Sequence, residues 1–176
     1  MDAHITLAKK AVEKYVIENI IIEVSEDVPE GMITRRAGVF VTIFKNGDLR
    51  GCIGTYLPTR ESIAREIILN AVAACSRDHR FDQVVENELA YLKYEVSILA
   101  EPRKIKDIQT HDPKKRGVLI ISSDGRSGLL LPDLDGIETS EQQIEIASRK
   151  GGIDLLRDSV ELFSFGVEKH THKDIA

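Results

Sequence analysis

Near the start of the chain Leu7, Ala8, Ala11, Val12, Tyr15 and Val16 fall at helical spacing, and Thr6 stands before them where a cap would. The pattern predicts a core-packing helix that runs to about Ile22. Gly31 to Arg36 reads as a linker. The run Val39-Phe40-Val41-Thr42-Ile43-Phe44 is rich in strand formers. Asn46-Gly47 behind it is a hairpin signal, because a tight two-residue turn needs positive φ at its centre. The return strand carries Leu49 to Thr55. Pro58 and Thr59 then open a second helix to about Cys75, with Ile63, Ile67 and Val72 facing inward, Glu61 and Glu66 facing solvent, and Cys75 packed at the apolar end.

The second half reads mainly as strands. Leu92, Tyr94, Val96 and Ile98 alternate with Lys93, Glu95 and Ser97, so Glu95 projects from the face opposite the apolar one. Val118 to Ser122, the Asp124-Gly125 turn and Ser127 to Leu131 have the pattern of another hairpin. Ser140 with Gln143 resembles a capping box and opens a helix that Gly151-Gly152 terminates. A last strand, Val160 to Glu168, sets Phe163, Phe165 and Val167 on one side. Hairpins interleaved with helices, without a regular βαβ rhythm, predict an α+β fold with a mainly antiparallel sheet flanked by helices.

Composition narrows the class. A chain of 176 residues with 42% hydrophobic content can bury a core as one domain, 1–176, in a larger and a smaller lobe. A formal net charge of −5 argues against a basic nucleic-acid surface over the whole molecule. A local patch exists in Arg103, Lys104, Lys106, Lys114, Lys115 and Arg116; it can touch phosphates, but without interleaved aromatics it reads first as a solvated loop. Two cysteines cannot build a disulfide scaffold, and the start Met1-Asp2-Ala3-His4 lacks the basic and apolar regions of a secretion signal. No apolar run reaches the roughly 18 residues that span a bilayer. A cytoplasmic protein without a membrane partner is expected.

Familiar motifs are missing. There is no Walker-type phosphate loop and no Gly-x-Gly-x-x-Gly fingerprint. Gly51-Cys52-Ile53-Gly54 has the Gly-x-x-Gly form of a KH loop, yet it follows a strand and holds Cys-Ile where that loop holds basic residues. Cys52 and Cys75 make no Cys-x-x-Cys pair. His170 and His172 have a spacing that can grip a metal, but on a polar tail they read as solvated, so no metal site is expected and the cofactor is left unknown.

The most informative stretch is Gly47-Asp48-Leu49-Arg50-Gly51-Cys52-Ile53-Gly54-Thr55. Glycine on both sides of Cys52 suits a thiol displayed at a turn or bulge, and suits equally a small hydrophobe buried in a Gly-rich strand. In an extended strand Arg50 and Cys52 share a face, and a guanidinium beside a thiol favours the thiolate.

Leu49-Arg50-Gly51-Cys52-Ile53-Gly54 also resembles the hallmark hexapeptide of the AMMECR-domain family. Asp78-His79-Arg80-Phe81 resembles the family's Asp-Pro-Arg-Phe, and Leu92-Lys93-Tyr94-Glu95-Val96-Ser97 its Leu-x-x-Glu-Val-Ser strand. Gly128-Leu129-Leu130-Leu131-Pro132, Arg149-Lys150-Gly151-Gly152 and Phe163 to Glu168 resemble later family segments, so the likeness spans most of the chain. The resemblance implies that Arg50, Gly51, Cys52, Asp78, Arg80, Glu95 and Glu168 are the positions to watch. They are expected to line one cleft between the lobes. There Cys52 would be a nucleophile and Glu95 a proton acceptor, with Arg50, Gly51, Asp78, Arg80 and Glu168 holding a small polar or anionic ligand. Each charged member also reads as a surface ion pair, Asp78 and Arg80 with one another. His79 stands where the family has proline, so no catalytic role is assigned to it. The family's frequent genomic company with Memo-like and radical-SAM proteins makes those candidate partners. Two classes of function stay open: an enzyme using the Cys52 thiolate, and a non-catalytic ligand-binding or adaptor module, RNA-related in one suggestion for the family.

Overall fold

Asp2, rather than Thr6, caps the first helix. Its carboxylate accepts from the N–H groups of His4 at 2.8 Å and Ile5 at 3.4 Å, and α1 runs Ala3–Glu18. The computed structural model describes residues 2–172; Met1, part of the opening segment read above, lies outside them. Thr6 sits within the first turn, its hydroxyl donating to the Asp2 carbonyl. The helix stops before Ile22 because Asn19 adopts a φ of 55°, its N–H donating to the Tyr15 carbonyl and the Ile20 N–H to that of Lys14. A short helix, α2 (Glu30–Thr34), lies where a linker was expected.

The Asn46-Gly47 turn behaves as predicted. With φ of 54° and 93° it joins β1 (Gly38–Lys45) to β2 (Asp48–Gly54) as an antiparallel hairpin. Thr42 pairs with Cys52 and Ile43 with Gly51; the register then slips so that Phe44 meets Leu49, which leaves Arg50 as the extra residue of a bulge. Ser62, whose hydroxyl accepts from the Arg65 N–H at 3.2 Å, starts α3 (Ile63–Ser76) later than Thr59. This helix packs on β1 and β2, and α1 packs on it. A 3-10 segment, Glu86–Tyr91, leads into β3 (Leu92–Leu99), whose Tyr94, Val96 and Ile98 join Ile5, Val12, Val41, Ile43 and Ile67 in the core.

The chain divides into two compact units, the first comprising residues 2–98 with 168–172, the second Leu99–Val167. The first holds a four-stranded sheet of order β2-β1-β3-β8, where β8 is Val167–Thr171. The second contains β4 (Arg103–Lys104), a 3-10 turn at Ile108–Thr110, β5 (Gly117–Ser122), β6 (Ser127–Leu130), α4 (Ser140–Lys150) and β7 (Val160–Phe165). Its sheet is antiparallel throughout, in the order β4-β7-β5-β6. Val118, Ile120, Leu130, Ile144, Ala147 and Ile153 form a separate core there. The strand read as continuous from Val160 to Glu168 is broken at Gly166, and its two parts belong to different sheets. Thr139 with Gln142 makes the capping box of α4, one position earlier than Ser140 with Gln143, and frees Gln143 for the interior. The fold is α+β, as the pattern predicts. Among the described residues no helix is long and apolar enough to cross a membrane.

Candidate functional site

Gly51 decides how Cys52 is presented. A Cβ there would lie 2.2 Å from the Ala74 carbonyl oxygen, so only glycine lets α3 seat on β2. With Gly51 and Ile53 toward the helix, alternation turns the half-buried Cys52 to the opposite face, where its Sγ lies 3.2 Å from Thr42 Oγ1. β2 is an edge strand, and the outward main-chain groups of Cys52 are covered by the segment after α3. Its N–H donates to Asp78 Oδ2 at 2.9 Å, and its carbonyl accepts from Arg80 Nη2 at 3.5 Å. Arg80 grips Asp78 as a fork, Nε to Oδ1 at 2.9 Å and Nη2 to Oδ2 at 2.6 Å. The Arg80 guanidinium, joined by the Cys52 N–H, holds the Asp78 carboxyl well below the usual carboxylate range against its burial.

Arg50 is committed elsewhere. The bulge interrupts the alternation that would have set it beside the thiol, and its guanidinium meets Glu88, Nε to Oε1 at 3.0 Å and Nη2 to Oε2 at 2.9 Å. Nη1 donates to the Asp82 carbonyl at 2.8 Å, and Nη2 also reaches that of Gln83 at 3.3 Å. Glu88 is buried and takes two more donors, Lys45 Nζ at 2.9 Å and the Val85 N–H at 3.0 Å. Arg50 above all draws the Glu88 carboxyl down to about 2. Sequence reasoning missed Glu88, which carries no motif of its own. Cys75 is packed as expected, and burial pushes its thiol up to about 11.

Glu95 lies on β3, two strands from β2 in the sheet order, a lateral separation of roughly 10 Å. Burial raises its carboxyl against the pull of Lys169, whose Nζ is 3.9 Å away. Glu168, on β8, meets Arg35 at 3.9 Å and His170 Nε2 at 3.2 Å. His170 is not on a solvated tail: it belongs to β8, and its ring stacks on His4 with centroids 3.7 Å apart. Glu66, expected to face solvent, is fully buried. Its carboxylate accepts from the N–H groups of Thr59 and of Arg60 (2.8 Å) and from the hydroxyls of Thr59 (3.0 Å) and Thr55 (3.3 Å). A loop needing acceptors overrides the polar-face reading. Every site residue singled out in the sequence lies in the first unit, in two clusters around Cys52-Asp78-Arg80 and Arg50-Glu88, with Glu95 and Glu168 apart from both.

The second unit contains a cavity of about 400 Å³ lined by Arg103, Lys104, Lys106, His111, Arg116 and Ser164, among others. His111 is only 7% exposed, with Nε2 2.6 Å from Gln143 Oε1. The Gln143 amide nitrogen donates to the carbonyls of Arg116 (3.1 Å) and Leu131 (3.3 Å), so its oxygen is the acceptor and the His111 proton belongs on Nε2. Nδ1 of His111 and Oγ of Ser164 are buried without a hydrogen-bond partner among the described residues. Lys104 is paired with Glu161, whereas Arg103, Lys106 and Arg116 form no ion pair among the described residues. The basic run was visible in the sequence; nothing there marked His111 or Ser164.

The sequence profile of the AMMECR1 family matches residues 5–170. A Thermotoga maritima protein is 46% identical over 95% of this chain and 96% of its own length. A Clostridium acetobutylicum protein is 42% identical over 96% of this chain, which spans only 36% of that relative. The crystal structure of the uncharacterized protein PH0010 from Pyrococcus horikoshii superposes with a TM-score of 0.88 at 26% identity, covering 97% of this chain and 90% of that one. The chain belongs to the AMMECR1 family.

Proposed function

We propose that this chain is a non-catalytic module that binds a small anionic ligand, a phosphate-bearing one in the first instance, in the basic cavity of its second unit. The observation that carries this reading is the cavity itself, which Arg103, Lys106 and Arg116 line with no ion pair of their own among the described residues. Cations without a counter-charge draw an anion, and a ligand with several oxygens meets more than one of them. Arginine forks suit planar and tetrahedral oxyanions. The volume falls in the range of small-molecule sites, about 300–1,000 Å³. In this reading Arg50, Gly51 and Cys52 are framework, because their polar groups are spent on Glu88, Asp78 and loop carbonyls. Two free cysteines accord with a reducing, cytoplasmic setting.

Calorimetric titration with inorganic pyrophosphate tests it. One site is expected, weakened at least about tenfold by Arg116→Gln or Arg103→Gln and weakened by salt. Absence of binding at millimolar pyrophosphate, or binding indifferent to both substitutions, contradicts it. A single-stranded RNA bound more tightly than pyrophosphate through the same residues would move the reading to the nucleic-acid alternative.

The enzyme reading rests on the half-buried Cys52 thiol with the Thr42 hydroxyl at 3.2 Å. Against it, Glu95 stands roughly 10 Å away across β1, beyond direct proton transfer. Its mark would be alkylation of Cys52 far faster than that of a cysteine peptide.

A further inference from the structure

We propose that Asp2, His4 and His170 form a binding site for one divalent transition-metal ion, with Glu168 orienting His170. The three groups converge from the first turn of α1 and from β8, both in the first unit. Asp2 Oδ1 is 3.0 Å from His4 Nδ1 and Asp2 Oδ2 is 2.9 Å from His170 Nδ1, and the three residues offer ligand atoms that all lie within 4.8 Å of one another. Neighbouring donors around an octahedral ion with bonds of about 2.1 Å are about 3.0 Å apart. The stacked rings, 25° from parallel, bring the two Nδ1 edges to the same carboxylate.

The hydrogen bonding of His170 strengthens the assignment. Its Nε2 lies 3.2 Å from Glu168 Oε1, the carboxylate–histidine arrangement that fixes the tautomer of a metal-bound imidazole. With the proton on Nε2, the Nδ1 lone pair is turned toward the Asp2 carboxylate, where the two can ligate one ion together. Asp2 is partly exposed while both imidazoles are largely covered, so water can complete the coordination from one side. Two imidazoles and one carboxylate, with no thiolate, favour zinc, cobalt, nickel or copper over calcium or magnesium. Such an ion would tie the start of α1 to β8.

The test uses the full chain without an affinity tag, stripped of metal and titrated with cobalt(II), followed by absorption and by thermal unfolding. One equivalent should bind without a sulfur-to-metal charge-transfer band, and saturation should raise the melting temperature by about 5 °C or more. His4→Asn and His170→Asn should each weaken binding by about 100-fold, Glu168→Gln by about tenfold, and Cys52→Ser should change nothing. Failure to bind at millimolar cobalt(II), a sulfur charge-transfer band, or full-strength binding in either histidine variant overturns the proposal. Should a histidine variant not fold, paramagnetic broadening in the unaltered protein decides: loss of the His4 and His170 imidazole signals supports the site, and broadening centred elsewhere overturns it.

Discussion

Glu88→Gln should remove much of what holds the Arg50 bulge to the segment before β3. Each pH unit by which folding displaces a carboxyl is worth about 1.4 kcal/mol. A carboxyl held at about 2 against an ordinary value of 4.5 therefore carries about 3 kcal/mol. Arg50 and Glu88 are both largely covered, so solvent screening takes little from this figure. Because the folded-state value is depressed, the stabilisation is complete above about 4.5 and lost as pH falls toward about 2. Urea unfolding should accordingly place Glu88→Gln about 3 kcal/mol below the unaltered protein at pH 7, with the gap shrinking to about half by pH 3. Asp2 and Asp78 are also depressed, but they titrate in both proteins and cancel in the difference. A gap under about 1 kcal/mol at pH 7, or one that stays constant to pH 3, would refute the anchoring role of Arg50.

Three further outcomes follow from the same geometry. Gly51→Ala should destabilise by at least about 2 kcal/mol in urea unfolding, since its methyl group would meet the Ala74 carbonyl oxygen at 2.2 Å and α3 would have to shift; an effect near zero would show that the helix is not seated on β2. Iodoacetamide under native conditions should label Cys52 before Cys75, which is buried and raised to about 11, and mass mapping that finds Cys75 labelled first would contradict the packing. Glu66→Ala should speed amide exchange at Thr59 and Arg60 and cost about 2–3 kcal/mol, whereas unchanged exchange at both would mean that the loop holds itself.

What was legible in the sequence was what local chemistry dictates. Asn46-Gly47 announced its hairpin because positive φ at two adjacent positions is a demand few dipeptides meet. The alternation of Leu92 to Ile98 placed Tyr94 and Val96 in the core correctly. Readings failed where a distant partner decides. Glu66 looks solvent-facing on a helical wheel, yet the loop before its helix turns its N–H groups onto that carboxylate. The strand from Val160 onward reads as unbroken, since periodicity says nothing about which sheet a residue joins. Arg50 and Cys52 were placed on one face by an alternation that the bulge interrupts. Asp78 and Arg80 were seen as a pair, but their grip on the main chain of Cys52 needed the sheet edge to be known. His111 and Ser164 lie 53 positions apart and meet only because β4 pairs with β7 beside the 3-10 turn.

The most direct test of anion binding in the second unit is a nitrogen–proton correlation spectrum of the labelled full chain, titrated with pyrophosphate. Binding in the basic cavity predicts saturable shifts at Arg103, Lys106, His111, Arg116 and Ser164, with Gly51, Cys52 and Arg80 unmoved. Shifts centred on Cys52, Asp78 and Arg80 instead would place the ligand at the thiol and contradict the claim.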